Sequence, residues 1–273
     1  MSGRRVVRRT VASLHDGAWL TRPDALAAEE PMEVRVGGDA VAVIMRTPGN
    51  DFELALGFCL SEGIVADPDD VAAIRYCAGK DPETGLQTYN VVDVQTRSAA
   101  PVAAELRRNV YTTSSCGLCG TASIEAVRKR LDGVGEDPVS LPATVITSLP
   151  DRLRDAQAVF ERTGGLHAAG LFTADGTLVC AREDVGRHNA VDKVLGWAAT
   201  AGVLPLRGHV LLVSGRVAFE IAQKALSAAI PVVAAVSAPS SLAVELAEEA
   251  GMTLVGFLRG ASFNVYAGRE RIT

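Results

Sequence analysis

HVLLVSGRVAFEIAQKALSAAIPVVAAVSA, residues His209 to Ala238, decides the fold. Two short apolar runs, HVLLVSG and PVVAAVSA, flank a stretch that reads as a helix, and each run ends in small polar residues. After a second helical stretch the run TLVGFLRG, Thr253 to Gly260, repeats the pattern. Buried apolar strands alternating with helices imply βαβ crossovers and a layered α/β domain. Upstream, LHAAGLFTADGTLVCARE reads as a hairpin turning at Asp175-Gly176, and a helix is expected from about Asn189 to Ala199. PDRLRDAQAVFERTGG reads as one helix before that hairpin, and FNVYAG as a closing strand.

The first half has a different texture. MEVRVGGDAVAVIMR alternates on either side of Gly37-Gly38-Asp39, a β-hairpin pattern. NDFELALGFCLSEG reads as a helix with Asn50 as N-cap, Glu53 completing a capping box and Gly63 as stop. LQTYNVVDVQT reads as a strand. RRNVYTTSS reads as an extended segment entering SSCGLCG, with a helix expected in TASIEAVRKRLDG. The expected organisation is therefore a flexible basic arm over 1–30, an α+β N-terminal domain over 31–140, a Pro/Gly-punctuated connector over about 134–149, and an α/β domain over 150–273.

At 273 residues, 48% apolar and 22% charged, the chain is long enough for a sizeable core. A net charge of −5 argues against nucleic-acid coating as its business. No uninterrupted apolar run reaches the roughly 18 residues of a spanning helix. Arg4, Arg5, Arg8 and Arg9 are not followed by a signal-peptide apolar region. The expectation is a cytoplasmic protein that neither binds nucleic acid nor enters a membrane.

Five cysteines, at 59, 77, 116, 119 and 180, do not make a secreted disulfide framework. Cys59, Cys77 and Cys180 sit in apolar or strand-like text, where cysteine is a small hydrophobe. Cys116 and Cys119 differ: glycines flank them, and Cys119 stands nearest an expected helix N-terminus, where a thiolate is stabilised. A structural zinc site needs four ligands, and neither a second cysteine pair nor a suitably spaced histidine pair is present. A deaminase-type zinc site lacks its His-x-Glu, because GLHAAG and GRHNAV supply no glutamate. No structural metal is expected. Dithiol redox exchange and sulfur carriage as a persulfide both remain compatible with the pair.

A second cluster, REDVGRHNAVDK, gathers Arg187, His188 and Lys193 at an expected helix start, where an anion is welcome. Ser214, Gly215 and Arg216 follow one strand end, and Ser237 and Ser240 the next. Ligands of open α/β sheets bind beyond the carboxyl ends of strands. With Arg259 in GFLRGASFN, these junctions suggest a lining for a phosphate-bearing, nucleotide-sized ligand.

In order, EEPMEVRV, MRTPGNDFELALGF, NVYTTSSCGLCG, GLHAAGLF, REDVGRHNAVDK, SGRVAFEIAQKA, VSAPSSLAVELAEE and GFLRGASFNVY resemble the FdhD family of formate dehydrogenase accessory sulfurtransferases. The resemblance covers most of the chain. It implies a three-layer, cytidine-deaminase-like C-terminal domain and a homodimer. It further implies that Cys116 accepts sulfur from a cysteine desulfurase as a persulfide with Cys119 as its partner. The acceptor would be the bis-molybdopterin guanine dinucleotide form of the molybdenum cofactor, a guanine-nucleotide-containing substrate, before its insertion into formate dehydrogenase. Phe257, Leu258, Arg259, Gly260, Ala261 and Ser262 match the family's cofactor-binding stretch. Ala218 departs from the family pattern, which has serine there. Two other functions stay open on the residues: a cofactor-binding chaperone without sulfur chemistry, and a dithiol oxidoreductase.

Overall fold

The computed structural model describes residues 5–77, 79, 87–97, 111–112 and 133–273. Cys116, Cys119, most of the extended segment before them and the helix expected after Gly120 lie outside the described residues.

The C-terminal domain is built on a six-stranded sheet. Its strands are β8 (His167–Thr173), β9 (Leu178–Asp184), β10 (His209–Val213), β11 (Val232–Ala235), β12 (Thr253–Arg259) and β13 (Ser262–Ala267). Their order is β13-β12-β11-β10-β8-β9, with β10, β11 and β12 parallel and β8, β9 and β13 antiparallel to their neighbours. Apolar runs that do not alternate are what strands buried on both faces require. Leu211, Val213 and Val233 accordingly pack under α4 (Arg187–Thr200), α5 (Phe219–Ser227) and α6 (Ser241–Glu249). Val210, Leu212 and Val232 pack on the other face, against Ile146, Leu149 and Leu153 of α2 (Ala143–Asp155). This is the three-layer architecture expected.

In the N-terminal domain, α1 (Asp51–Ser61) lies on a five-stranded sheet of order β5-β6-β3-β4-β7. The strands are β3 (Glu30–Val36), β4 (Asp39–Arg46), β5 (Val71–Tyr76), β6 (Val91–Thr96) and β7 (Tyr111–Thr112). Met32, Val34, Ile44, Val92 and Val94 form its core with Leu54, Ala55 and Phe58 of the helix.

Helices α1 and α4 join the domains at a crossing with no room for side chains. A methyl group on Gly57 would stand 1.8 Å from the Asp192 carbonyl oxygen, and one on Gly196 would stand 1.8 Å from the Glu53 carbonyl oxygen. The two glycines thus open the same crossing from opposite sides.

Several sequence expectations need correction. Within the arm expected over 1–30, residues 6–27 form a hairpin: β1 (Val6–His15) and β2 (Ala18–Ala27) pair antiparallel through ten residues. Asp16 and Gly17 both take positive φ, the requirement of a two-residue hairpin turn. Asn50 stands at the N-cap position of α1, as expected, but makes no side-chain capping bond: it is left-handed, and its side chain accepts a hydrogen bond from Arg5. Glu53 does not close a capping box either, because Arg182 across the domain seam holds it in a two-point ion pair at 2.5 and 2.7 Å. The expected connector is helical from Ala143, since Ile146 and Leu149 have an apolar face to cover. The helix expected next to it breaks at Ala156, and a separate α3 (Ala158–Thr163) follows, its first amides bonded to the Glu183 carboxylate. The stretch from Val134 to Leu141 belongs with the C-terminal domain rather than the N-terminal one. Val134 enters one of its cores, Leu141 the other, and buried Arg271 donates to the Val134 and Gly135 carbonyls.

Candidate functional site

The carboxyl ends of β10, β11 and β12 open on one edge of the sheet. Because β8 runs antiparallel to β10, its first residue, His167, arrives at the same edge beside Ser214 and Gly215. A cavity of about 570 Å³ lies there, walled by Arg154, Gln157 and Phe160 of the α2–α3 region and by His167, Val185, Ser214 and Val236. Its size suits a small ligand. The Arg154 guanidinium lies over the Phe160 ring, 4.4 Å from its centroid. A second cavity, about 490 Å³, opens between Leu60, Asp67, Leu195 and Leu204 and has no cationic side chain in its lining.

The electrostatics of the first cavity's margin favour an anion. Arg187 starts α4 next to Gly215, and its Nε is buried without a hydrogen-bond partner among the described residues. Burial, and then the neighbouring Arg216 guanidinium, pull the Arg187 pKa down; Glu220 opposes them. Two guanidiniums held together with an unfilled donor are relieved by negative charge. His167 is likewise held below the ordinary imidazole value, first by burial and then by Arg187, against the pull of Asp184. His188 Nε2 stands 3.9 Å from Glu220.

Among the other junction residues, Ser214 Oγ accepts from the Ala168 amide at 2.9 Å. The Ser237 carbonyl accepts from the Phe257 amide at 3.1 Å. Ser240 caps α6 by accepting from the Ala243 amide. Phe257 is exposed at a φ of 52°, in a bulge of β12, and Arg259 donates to the Val236 carbonyl at 3.2 Å. Gly260, at φ 53°, and Ala261 make the exposed turn, and Ser262 Oγ donates back to the Arg259 carbonyl. The fold thus brings Arg187, His188, Ser214, Gly215, Arg216, Ser237 and the 257–262 stretch to one sheet edge.

Two expected ligand-binding side chains are engaged elsewhere. Lys193 is buried, pairs with Asp184 at 2.7 Å, and donates to the Thr47 carbonyl. Leu258 is fully buried in the core beneath α2. The sequence reading missed His167, Arg154 and Phe160. GLHAAG, DRLRD and AVFERT stand in plain view, but only the packing of strands and helices carries them to the edge.

The same edge faces the N-terminal domain. Asp184 accepts from the Thr47 and Gly186 amides and from Asn189 Nδ2, and Asn189 also donates to the Met45 carbonyl. Strand β7 runs parallel to β4 with Thr112 opposite Ile44, so it ends on the side of the sheet where β4 runs on to Thr47. The sequence reaches Cys116 four residues later. The free cysteines Cys59 and Cys180 are buried, and burial raises both thiols, Cys180 to about 12; Cys77 is half-buried. No group of three or more metal-ligating side chains occurs among the described residues, and no helix among them is long and apolar enough to cross a membrane.

Known proteins share this plan along its length. The chain is 60% identical to a sulfur carrier protein FdhD of Streptomyces avermitilis, over 99% of this chain and 96% of that one. It is 54% identical to the protein of that name in Mycobacterium tuberculosis, over 99% of this chain and all of that one. The crystal structure of a protein from Desulfotalea psychrophila, assigned as a formate dehydrogenase accessory protein, superposes with a TM-score of 0.79 at 22% identity, covering 99% of this chain and 100% of that one. The profile of the FdhD/NarQ family matches residues 27–273, and the chain belongs to that family.

Proposed function

We propose that this protein is a sulfur carrier in formate dehydrogenase maturation. The observation that carries the reading is the 60% identity, over 99% of the chain, to a protein named as a sulfur carrier. In this reading the Cys116 thiolate attacks the sulfane sulfur of a cysteine desulfurase persulfide. The donor's S–S bond breaks, its cysteine leaves as a thiolate, and Cys116 holds the sulfur as a persulfide. The Cys119 thiolate then attacks Cys116 Sγ, forming a Cys116–Cys119 disulfide and releasing hydrosulfide to the acceptor. A cellular dithiol reductant resets the pair. The acceptor is the bis-molybdopterin guanine dinucleotide form of the molybdenum cofactor, bound as substrate at the sheet edge. Arg187, Arg216 and His167 suit its phosphates.

Incubation with a cysteine desulfurase and cysteine is expected to add one sulfur to the peptide containing Cys116, as read by mass spectrometry. Cys116→Ala is expected to lose both that label and activation of a client formate dehydrogenase. Retention of both by Cys116→Ala overturns the role. Full client activation by a Cys116→Ala/Cys119→Ala double variant would favour a cofactor chaperone instead.

The cavity makes a separate prediction. His167 is neutral at pH 7, because burial and Arg187 hold its pKa below the ordinary imidazole value. A bound phosphate beside it stabilises the imidazolium, so binding is coupled to proton uptake. Guanosine diphosphate affinity, measured by calorimetry, should therefore rise severalfold as pH falls from 8 to about 6. His167→Gln should flatten that dependence.

A further inference from the structure

The short helix α3 has little of its own to hold it in place. Of its residues only Val159 is buried, and Gln157, at the N-cap position, makes no side-chain capping bond. A helix start leaves its first amides without intrahelical partners. A carboxylate 23 residues after Phe160 supplies them here. Glu183 Oε2 accepts from the Val159 amide at 3.0 Å, and Glu183 Oε1 accepts from the Phe160 amide at 2.7 Å. Both carboxylate oxygens are thus spent on one helix end, and an ionised acceptor makes stronger bonds there than a neutral one. Glu183 itself is firmly placed. It stands in β9 opposite Ala168 of β8, and the buried Lys193 ammonium donates to its carbonyl at 3.3 Å. The sheet is the fixed body, and Glu183 is the point at which α3 is tied to it.

What α3 carries is part of one wall of the cavity at the sheet edge. Phe160 lines that wall with Gln157 and Arg154, and the Arg154 guanidinium lies 4.4 Å from the Phe160 ring centroid. An aromatic ring and a guanidinium plane are both surfaces on which a nucleobase stacks. The groups that favour phosphate belong to other elements: Arg187 starts α4, and Arg216 follows β10. The two chemistries of the cavity are therefore held separately, the cationic margin by α4 and the sheet, the flat wall through Glu183. Resting on the reading that the sheet edge takes a guanine-nucleotide-containing substrate, we propose that Glu183 is a positioning residue. It fixes α3 so that the Phe160–Arg154 wall meets the base, and it leaves the phosphates to the arginines. Glutamine cannot replace it, because a side-chain amide offers one oxygen and turns an N–H donor toward the second backbone N–H.

The test titrates the full-length protein by calorimetry with guanosine diphosphate and, separately, with inorganic pyrophosphate, which has the phosphates without the base. Wild type is expected to bind the nucleotide at least about tenfold more tightly than pyrophosphate. In Glu183→Gln the nucleotide affinity should fall about tenfold, and the pyrophosphate affinity by less than about twofold. Hydrogen exchange at the Val159 and Phe160 amides should accelerate while protection across β8, β10 and β11 is kept. An unchanged nucleotide affinity in Glu183→Gln overturns the proposal. So does an equal loss for both ligands, which is the mark of a general structural role. Should Glu183→Gln misfold, Glu183→Asp reads the same tie: it keeps the charge but lacks the reach to hold both amides. The same split between the ligands is expected of it, and the same two results overturn the proposal. A wild type that binds pyrophosphate as tightly as the nucleotide overturns it too, since the wall then meets no base. Sulfur labelling of Cys116 is a separate readout: its failure with the ligand split intact removes the carrier reading and leaves the role of Glu183 standing.

Discussion

Alanine at Gly196 is expected to destabilise the protein by at least about 3 kcal/mol, the upper end of overpacking penalties. The new methyl carbon would lie 1.8 Å from the Glu53 carbonyl oxygen, a backbone atom that no rotamer change can move. Relief requires α1 and α4 to separate by more than an ångström. That separation strains the buried ion pairs and hydrogen bonds along the same seam. Gly57→Ala should behave alike, since its methyl group would meet the Asp192 carbonyl at the same 1.8 Å. Thermal denaturation should show a fall of roughly 6–12 °C for each variant. Gly135→Ala is the control: its methyl group finds nothing closer than 3.8 Å, and its effect should be near zero. Wild-type stability in Gly196→Ala would mean that the two helices do not cross as described.

The second large effect comes from a charge pair in that seam. Lys224 donates to Asp192 at 2.9 Å and to Ser61 at 2.7 Å, and Ser61 also donates to Asp192 at 2.8 Å. Glu62 completes the group at 3.2 Å from the ammonium. Removing one member of a buried pair leaves an uncompensated charge, a loss of about 3–5 kcal/mol. Lys224→Met is expected to show it in urea denaturation at pH 7. The sign of its pH dependence follows from Asp192. Burial already raises that carboxyl pKa against the pull of Lys224, and deleting the lysine raises it further. The folded state then binds a proton more readily than the unfolded state. Stability of Lys224→Met should therefore recover as pH falls toward 5 and worsen as pH rises, relative to wild type. Asp192→Leu/Lys224→Met should regain most of the loss, because both desolvation penalties disappear together.

Much of the C-terminal domain was legible because burial on both faces leaves a direct mark on strands. HVLLV and PVVAAV are apolar without alternation, and each is followed by small residues where the chain must turn. The hairpin over Leu166–Glu183 and the hairpin at Gly37-Gly38 were legible through turn chemistry. The Asp16-Gly17 turn carries the same local signal, set in an arginine-rich stretch. The capping box at Asn50 and Glu53 misled because local spacing is silent about Arg182, 129 residues away, which takes the glutamate.

The candidate site divides along the same line. Ser214, Gly215, Ser237 and Arg259 were legible as strand-end residues, since any chain leaving a parallel strand must pass through that edge. Lys193 looked like another basic donor, yet its partner Asp184 and its place on the buried face of α4 tie it to the domain seam. His167 came to the edge because β8 lies antiparallel beside β10, a pairing decided by long-range hydrogen bonds.

By itself the sequence determined the layered α/β class, the strand ends at which a ligand would sit and the family, because apolar periodicity, turn residues and ordered motifs are local properties of the chain. Only the tertiary structure decided how those parts meet. It crossed α1 and α4 at two glycines, placed the charges of Asp184, Asp192, Lys193 and Lys224 in a seam rather than a ligand site, and left Arg187 Nε, beside His167, without a partner among the described residues. The physical reason is that close packing and the pairing of buried charges depend on residues far apart in the chain, and no local pattern specifies which of them will touch.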